Sequence, residues 1–239
     1  MTVSIMSQPI LTERSSVNNM ADSAVMKIKC PLCQTTGEFT IYPNINVTKD
    51  PEMKKKVISG ELFMYECPHC HKKGQVDYGP VYHDMEKRLM IIDCKDEKEG
   101  LKLFTQFKEE LRDLDPSEVR YRFRIVKDCY ELKEKIMIFD EGLDDRGVEV
   151  SKFLNRLNVK QNYPDFVIKR VYFNKLEDGS CRFEYIDPNN KMITIPVEGE
   201  MKETLRGFFE KENPDEVIIN EKWAEKVIEN SGENDQAEV

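Results

Sequence analysis

Four of the seven cysteines fall in two C-P-x-C clusters, Cys30-Pro31-Leu32-Cys33 and Cys67-Pro68-His69-Cys70. Two such pairs supply the ligand count of a tetrahedral zinc site, each placing two thiolates on one ion from within a tight turn. Pro31 and Pro68 suit these turns, because a fixed φ preorganises the bend and proline brings no competing N–H. Residues 34–66 separate the pairs, a longer spacer than the roughly 15–20 residues of a compact ribbon. Magnitudes make the insertion tolerable. Doubling a closed loop costs only about 0.6 kcal/mol, whereas structural zinc contributes about 10–16 kcal/mol in finger peptides. A closed four-thiolate site has no open position for water, so the pattern predicts one structural Zn2+ on Cys30, Cys33, Cys67 and Cys70 and no catalysis at the metal.

Two other ligand chemistries compete. His69 and His71 flank Cys70 and offer an imidazole in its place, but a cysteine correctly spaced from Cys67 leaves the histidines to solvent or to supporting roles. Four sulfurs also suit iron in a rubredoxin-like electron carrier. Against iron, Gln34 and His71 stand where such knuckles usually carry glycine. Lys27, Lys29, Lys72 and Lys73 flank the pairs, where cations help to hold thiolates deprotonated.

The other chemistry-bearing groups have plainer readings. Arg120, Arg122 and Arg124 share one face of a strand and could grip phosphates; the expected role is the solvated face of an antiparallel strand. Asp140, Glu141, Asp144, Asp145 and Glu149 could gather a divalent cation for a hydrolytic enzyme, but their spacing is not that of a calcium loop and two of them sit where helix caps belong. Tyr82-His83-Asp84 reads as turn chemistry, since adjacent residues on an extended chain point to opposite faces. Cys94, Cys129 and Cys181 read as small core residues. No phosphate-cradling glycine loop, G-x-S-x-G elbow or H-E-x-x-H helix is present in the sequence.

These groups need a frame to hold them. The 239 residues are 39% hydrophobic and 34% charged, with a net charge of -9. The apolar share permits a core, and the net negative charge disfavours broad contact with phosphate backbones or anionic lipid. No apolar run approaches the roughly 20 residues of a membrane span, and an odd cysteine count argues for reduced thiols. The expected location is cytoplasmic. Residues 1–25 are polar and read as a disordered extension. Phe39 to Val47 reads as extended, Asp50-Pro51 opens a short helix that ends at Gly60, and Glu61 to Glu66 reads as a strand. Gln75 to Tyr82 and Lys87 to Asp93 read as a hairpin turning near His83-Asp84. A helix over Glu97 to Leu114 follows a capping box at Asp96 and Glu99. Val119 to Val126 alternates as a strand, and Asp128 with Glu131 caps a helix, with another ending near Leu157. Phe166 to Val197 reads as a three-stranded meander with turns at Asp178-Gly179 and residues 187–190. A helix near Met201 to Lys211, a strand at Val217 to Ile219, a helix around Trp223 to Ile228 and an acidic tail complete the order.

With its two cysteine clusters placed, the chain resembles the CpXC family, a bacterial and archaeal group named for such paired motifs. The resemblance extends through Tyr82-His83-Asp84 to Glu134-Lys135-Ile136 and Asp144-Asp145-Arg146, over roughly Lys27 to Leu157. It implies a zinc-ribbon-like module and supplies no catalytic residues. The expected class is α+β: a zinc-ribbon-centred domain of antiparallel strands and helices over residues 26–160, then a smaller antiparallel β-meander plus helices over 161–228 and an acidic tail over 229–239. The expected function is a non-enzymatic zinc module that binds a protein partner, with no membrane contact. A hydrolytic enzyme built on the Asp140–Glu149 cluster, a nucleic-acid-binding zinc ribbon and an iron electron carrier stand as alternatives.

Overall fold

A computed structural model of the chain describes residues 3–6, 23–114, 121–206, 213 and 215–234. It is an α+β structure with several small sheets. The chain divides by its contacts into two compact units, Met1–Lys133 and Glu134–Val239. No helix among the described residues is long and apolar enough to cross a membrane.

The first unit is built from two hairpins and a four-stranded sheet. Strand β1 (Val3–Met6) is followed by β2 (Ala24–Lys29) and β3 (Thr36–Ile41), which pair antiparallel. β4 (Asn44–Asn46) leads to helix α1 (Pro51–Ser59), whose Asp50 cap accepts the Glu52 N–H as its sequence requires. A single 3-10 turn (Glu61–Phe63) and β5 (Met64–Glu66) come next, then β6 (Lys73–Asp77), antiparallel to β5 and parallel to β1. Where an uninterrupted strand was expected over Glu61 to Glu66, its first half is this turn. It buries Leu62 and Phe63.

β7 (Val81–Asp84), β8 (Leu89–Asp93), α2 (Glu97–Leu114) and β9 (Arg122–Val126) complete the unit, with sheet order β4-β7-β8-β9. The strand expected over Gln75 to Tyr82 is broken into β6 and β7, in different sheets. Gly79-Pro80 is the physical cause. Gly79 has φ of 66°, a Cβ there would lie 2.8 Å from the Asp93 carbonyl oxygen, and Pro80 has no N–H for a ladder. The turn of the β7–β8 hairpin consequently falls after Asp84, where Arg88 adopts φ of 51°.

β8 is the centre of the apolar core, with every residue from Leu89 to Asp93 buried. β4–β7 and β8–β9 are parallel pairs, and only β7–β8 is antiparallel. α2 packs here through Phe104 on Phe123, ring centroids 5.1 Å apart. The expected solvated arginine face is corrected at this point: Arg124 is only 2% exposed and donates to the Phe123 carbonyl. Residues of both faces of β9 are buried from Phe123 to Val126, so the strand has no open face. Arg122 is half-buried, and Arg120 lies outside the described residues.

Helix α3 (Cys129–Asp140) runs through the division between the units. Its capping box forms as expected: Asp128 accepts the Tyr130 and Glu131 N–H groups, and Glu131 accepts that of Lys127. The second unit continues with α4 (Asp145–Asn162) and the meander β10 (Arg170–Lys175), β11 (Cys181–Ile186) and β12 (Met192–Pro196), in that sheet order. Phe173, Phe183 and Tyr185 are fully buried beneath it. Helices α5 (Gly199–Arg206) and α6 (Glu221–Asn234) close the chain, so α6 extends into the stretch read as an acidic tail. Val217 and Ile219 are buried, but no strand forms there.

In the N-terminal stretch expected to lack structure, Val3–Met6 pair with β6 and β2 begins at Ala24. The intervening residues 7–22 lie outside the described ones.

Candidate metal centre

Each cysteine pair is the turn of a hairpin. Residues 30–35 join β2 to β3, and residues 67–72 join β5 to β6. The two turns share one hydrogen-bond pattern. In the first, the Gln34 N–H donates to the Cys30 carbonyl (3.0 Å) and the Cys30 N–H to the Thr35 carbonyl (2.9 Å). In the second, the His71 N–H donates to the Cys67 carbonyl and the Cys67 N–H to the Lys72 carbonyl, both at 3.0 Å. Gln34 (φ 60°) and His71 (φ 55°) occupy the left-handed position that ends each turn. The conformation usually filled by glycine is therefore present without it. Side chains lend local support: Gln34 Nε2 donates to the Pro31 carbonyl, and His71 Nδ1 lies 3.3 Å from Glu66 Oε1.

These turns bring the four sulfurs together. Cys30 Sγ lies 3.7 Å from Cys70 Sγ and Cys33 Sγ 3.5 Å from Cys67 Sγ, and all four ligand atoms lie within 4.8 Å of one another. A metal with sulfur ligands at about 2.3 Å in a tetrahedron separates them by about 3.8 Å. A disulfide needs about 2.05 Å. The spacing fits a shared ion and not a pair of bridges. Cys30 and Cys67 are buried, Cys33 is half-buried and Cys70 is exposed, so the cluster sits at the surface with one flank to solvent.

The turns also tune the thiols. The Thr35 hydroxyl and N–H lower Cys33 to about 5, and the Cys70 and His69 N–H groups lower Cys67. At Cys70 the Lys72 N–H acts downward, but burial and then the Cys33, Cys67 and Cys30 sulfurs together push it up to about 12. Backbone donors aimed at two sulfurs and crowding on a third describe a site suited to a cation. Beside them stands Tyr65, 2% exposed, whose phenol is held up first by burial and then by Cys67.

Neither histidine joins the ligand group: His71 faces Glu66, and His69 is exposed. Lys27, Lys29, Lys72 and Lys73 are exposed, and Lys73 pairs with Glu66 at 3.4 Å. The acidic cluster is engaged elsewhere. Glu141 is held at about 2 by Lys175 and Lys202, and Asp144 caps α4 while pairing with Arg146 at 2.6 Å. Asp145 and Glu149 are buried against Lys135 at 2.9 and 3.1 Å, and Lys152 bridges Glu149 to Glu134. Among the described residues the four cysteines are the one group of His, Cys, Asp and Glu able to hold a metal ion. Cys94, Cys129 and Cys181 are buried apart from it, and burial pushes the Cys129 and Cys181 thiols up. His83 is buried against the Tyr121 hydroxyl at 3.2 Å, and burial holds it down at about 4.

Paired hairpin turns thus converge, within an α+β frame, on a four-cysteine cluster that could hold a metal ion. The family model of the CpXC protein matches residues 28–152, more than half of the chain, and the chain belongs to that family. Comparison with curated proteins and with solved structures finds no match. The matched stretch spans both knuckles and ends at Lys152, within the buried ionic group of the second unit.

Proposed function

We propose that this chain is a non-enzymatic zinc-binding module, in which one structural Zn2+ on Cys30, Cys33, Cys67 and Cys70 staples two hairpins and thereby shapes a surface for a protein partner. The observation that carries the reading is the convergence of four sulfurs from two turns of the same hydrogen-bond pattern. Zinc fits a four-thiolate tetrahedron that offers no open coordination position. Its role is then to hold structure, since a two-stranded hairpin such as β2–β3 is marginal by itself. The partner surface has support at the first knuckle, where Leu32 stands 60% exposed between the cysteines and Val25 of the same hairpin is 62% exposed. Leu32, held out by the turn itself, is placed to make such a contact.

Metal analysis of the protein purified under reducing conditions tests the reading. About one zinc per chain and a colourless solution are expected, with Cys67→Ser losing the metal. A red-brown protein with stoichiometric iron after anaerobic expression would replace the reading with electron transfer.

A further inference from the structure

Tyr65 sits on β5, two residues before Cys67, and its ring packs edge-on against Phe39 of β3, with centroids 6.1 Å apart and planes at 89°. Phe39 and Gly37 project from the same face of β3, because residues two apart on a strand share a face. The ring therefore lies along that face with its hydroxyl toward Gly37. A Cβ at position 37 would stand 2.3 Å from the Tyr65 oxygen, and 2.9 and 3.2 Å from Cδ and Cγ of Pro68. Gly37 is thus the point at which the first hairpin receives both Tyr65 and the proline of the second knuckle.

The hydroxyl delivered to this place is buried and makes no hydrogen bond among the described residues. An unmet buried donor is costly and uncommon, and its surroundings indicate what it awaits. Cys67, two residues along the extended chain, is buried on the same side as Tyr65, and its neighbour Pro68 meets the same point of Gly37 as the hydroxyl. Ligands in structural metal sites are commonly fixed by a donor behind them, which also withdraws charge from the sulfur.

Resting on the zinc reading, we propose that Tyr65 is a positioning residue of the metal centre, its O–H donating to the Cys67 sulfur of the loaded site, and that Gly37 lacks a side chain so that this hydroxyl can reach it. The hydrogen bond stays within the second hairpin, while the ring that delivers it packs on Phe39 and Gly37 of the first. A second consequence concerns Gly37→Ala. The added methyl displaces the hydroxyl and Pro68 together and so loosens the knuckle that carries Cys67 and Cys70.

Competition against a chromophoric chelator, with zinc and then with Co2+, tests this on the full chain. Tyr65→Phe is expected to bind one metal about 10-fold or more weakly and to shift the sulfur-to-cobalt charge-transfer band, with an unchanged far-ultraviolet circular dichroism spectrum. Gly37→Ala is expected to weaken binding too, and the double variant to lose less than the two single losses combined. A hydroxyl that is merely buried predicts the opposite, since removing an unmet donor leaves affinity and the cobalt spectrum alone and raises stability. Wild-type metal binding with an unaltered Tyr65→Phe variant would overturn the inference while leaving the zinc centre standing. A wild-type chain that binds neither metal would overturn both.

Discussion

At residue scale the centre depends on sulfur and on little else that is ionisable nearby. His71 spends its Nδ1 on Glu66, and Lys73 turns to the same carboxylate, so the charged neighbours of Cys70 balance one another rather than the thiolates. Replacing His69 and His71 together with alanine should therefore leave the zinc content at one per chain, whereas Cys33→Ser or Cys67→Ser should abolish it. Zinc lost from the double histidine variant, measured by metal analysis after gel filtration, would contradict the four-cysteine assignment. The cluster of four cysteines was legible because their type and spacing mark them directly. Tyr65 and Gly37 were not, since nothing local marks a tyrosine as facing a glycine across two hairpins. The left-handed Gln34 and His71 were half legible: the sequence shows that glycine is missing there, but not that the turn forms regardless.

At the scale of elements, β6 and β8 bring two carboxyls into one buried place. Burial, and then Asp128, raises Asp77 to about 6, while burial and then Asp77 raise Asp93 well above the usual carboxylate range. Glu131 adds to the repulsion on Asp93, and Lys95 partly relieves Asp77. The sign follows from proton counting. Between the unfolded carboxyl range near 4 and the native value near 6, the native state holds more protons, so stability falls as pH rises through this window. Asp77→Asn should accordingly raise the melting temperature at pH 7 by about one to a few degrees and flatten its dependence between pH 5 and 7 relative to wild type. A variant that melts lower at pH 7, or keeps the wild-type slope, would show that the pair is not strained. Neither partner could be matched from sequence, because the Gly79-Pro80 break that separates the two sheets was read as continuous strand. Arg124 was misread for a related reason: alternation identifies a strand's two faces but not whether both are covered. The caps at Asp50 and Asp128 and the meander turns were legible, since each is written in neighbouring residues.

At the scale of the whole molecule, the two units are stabilised by different means. The second contains no cysteine of the cluster; it holds a buried group of three carboxylates and two ammoniums, from Glu134, Lys135, Asp145, Glu149 and Lys152. Glu134 also accepts the Phe173 N–H at 2.6 Å, and Tyr185 donates to the Lys152 carbonyl at 3.0 Å, so the meander is fastened to α3 and α4 through this group. Lys152→Met leaves Glu134 without its ammonium in a buried site and should cost about 3–5 kcal/mol in urea unfolding. A loss below about 1 kcal/mol would show the group to be dispensable. From sequence Asp140, Glu141, Asp144, Asp145 and Glu149 suggested a cation site, because Lys135, the partner of Asp145 and Glu149, and Lys175 and Lys202, the partners of Glu141, lie on other elements.

On the proposed reading, a metal on the four cysteines holds the two hairpins of the first unit together. Hydrogen exchange by segment, on the zinc-loaded protein and after verified chelation, tests it most directly. Protection should fall across β2–β3 and β5–β6, where the turns lose their common anchor, and should remain in β10–β12, which carry no ligand. Unchanged protection at both knuckles after zinc removal would contradict the account.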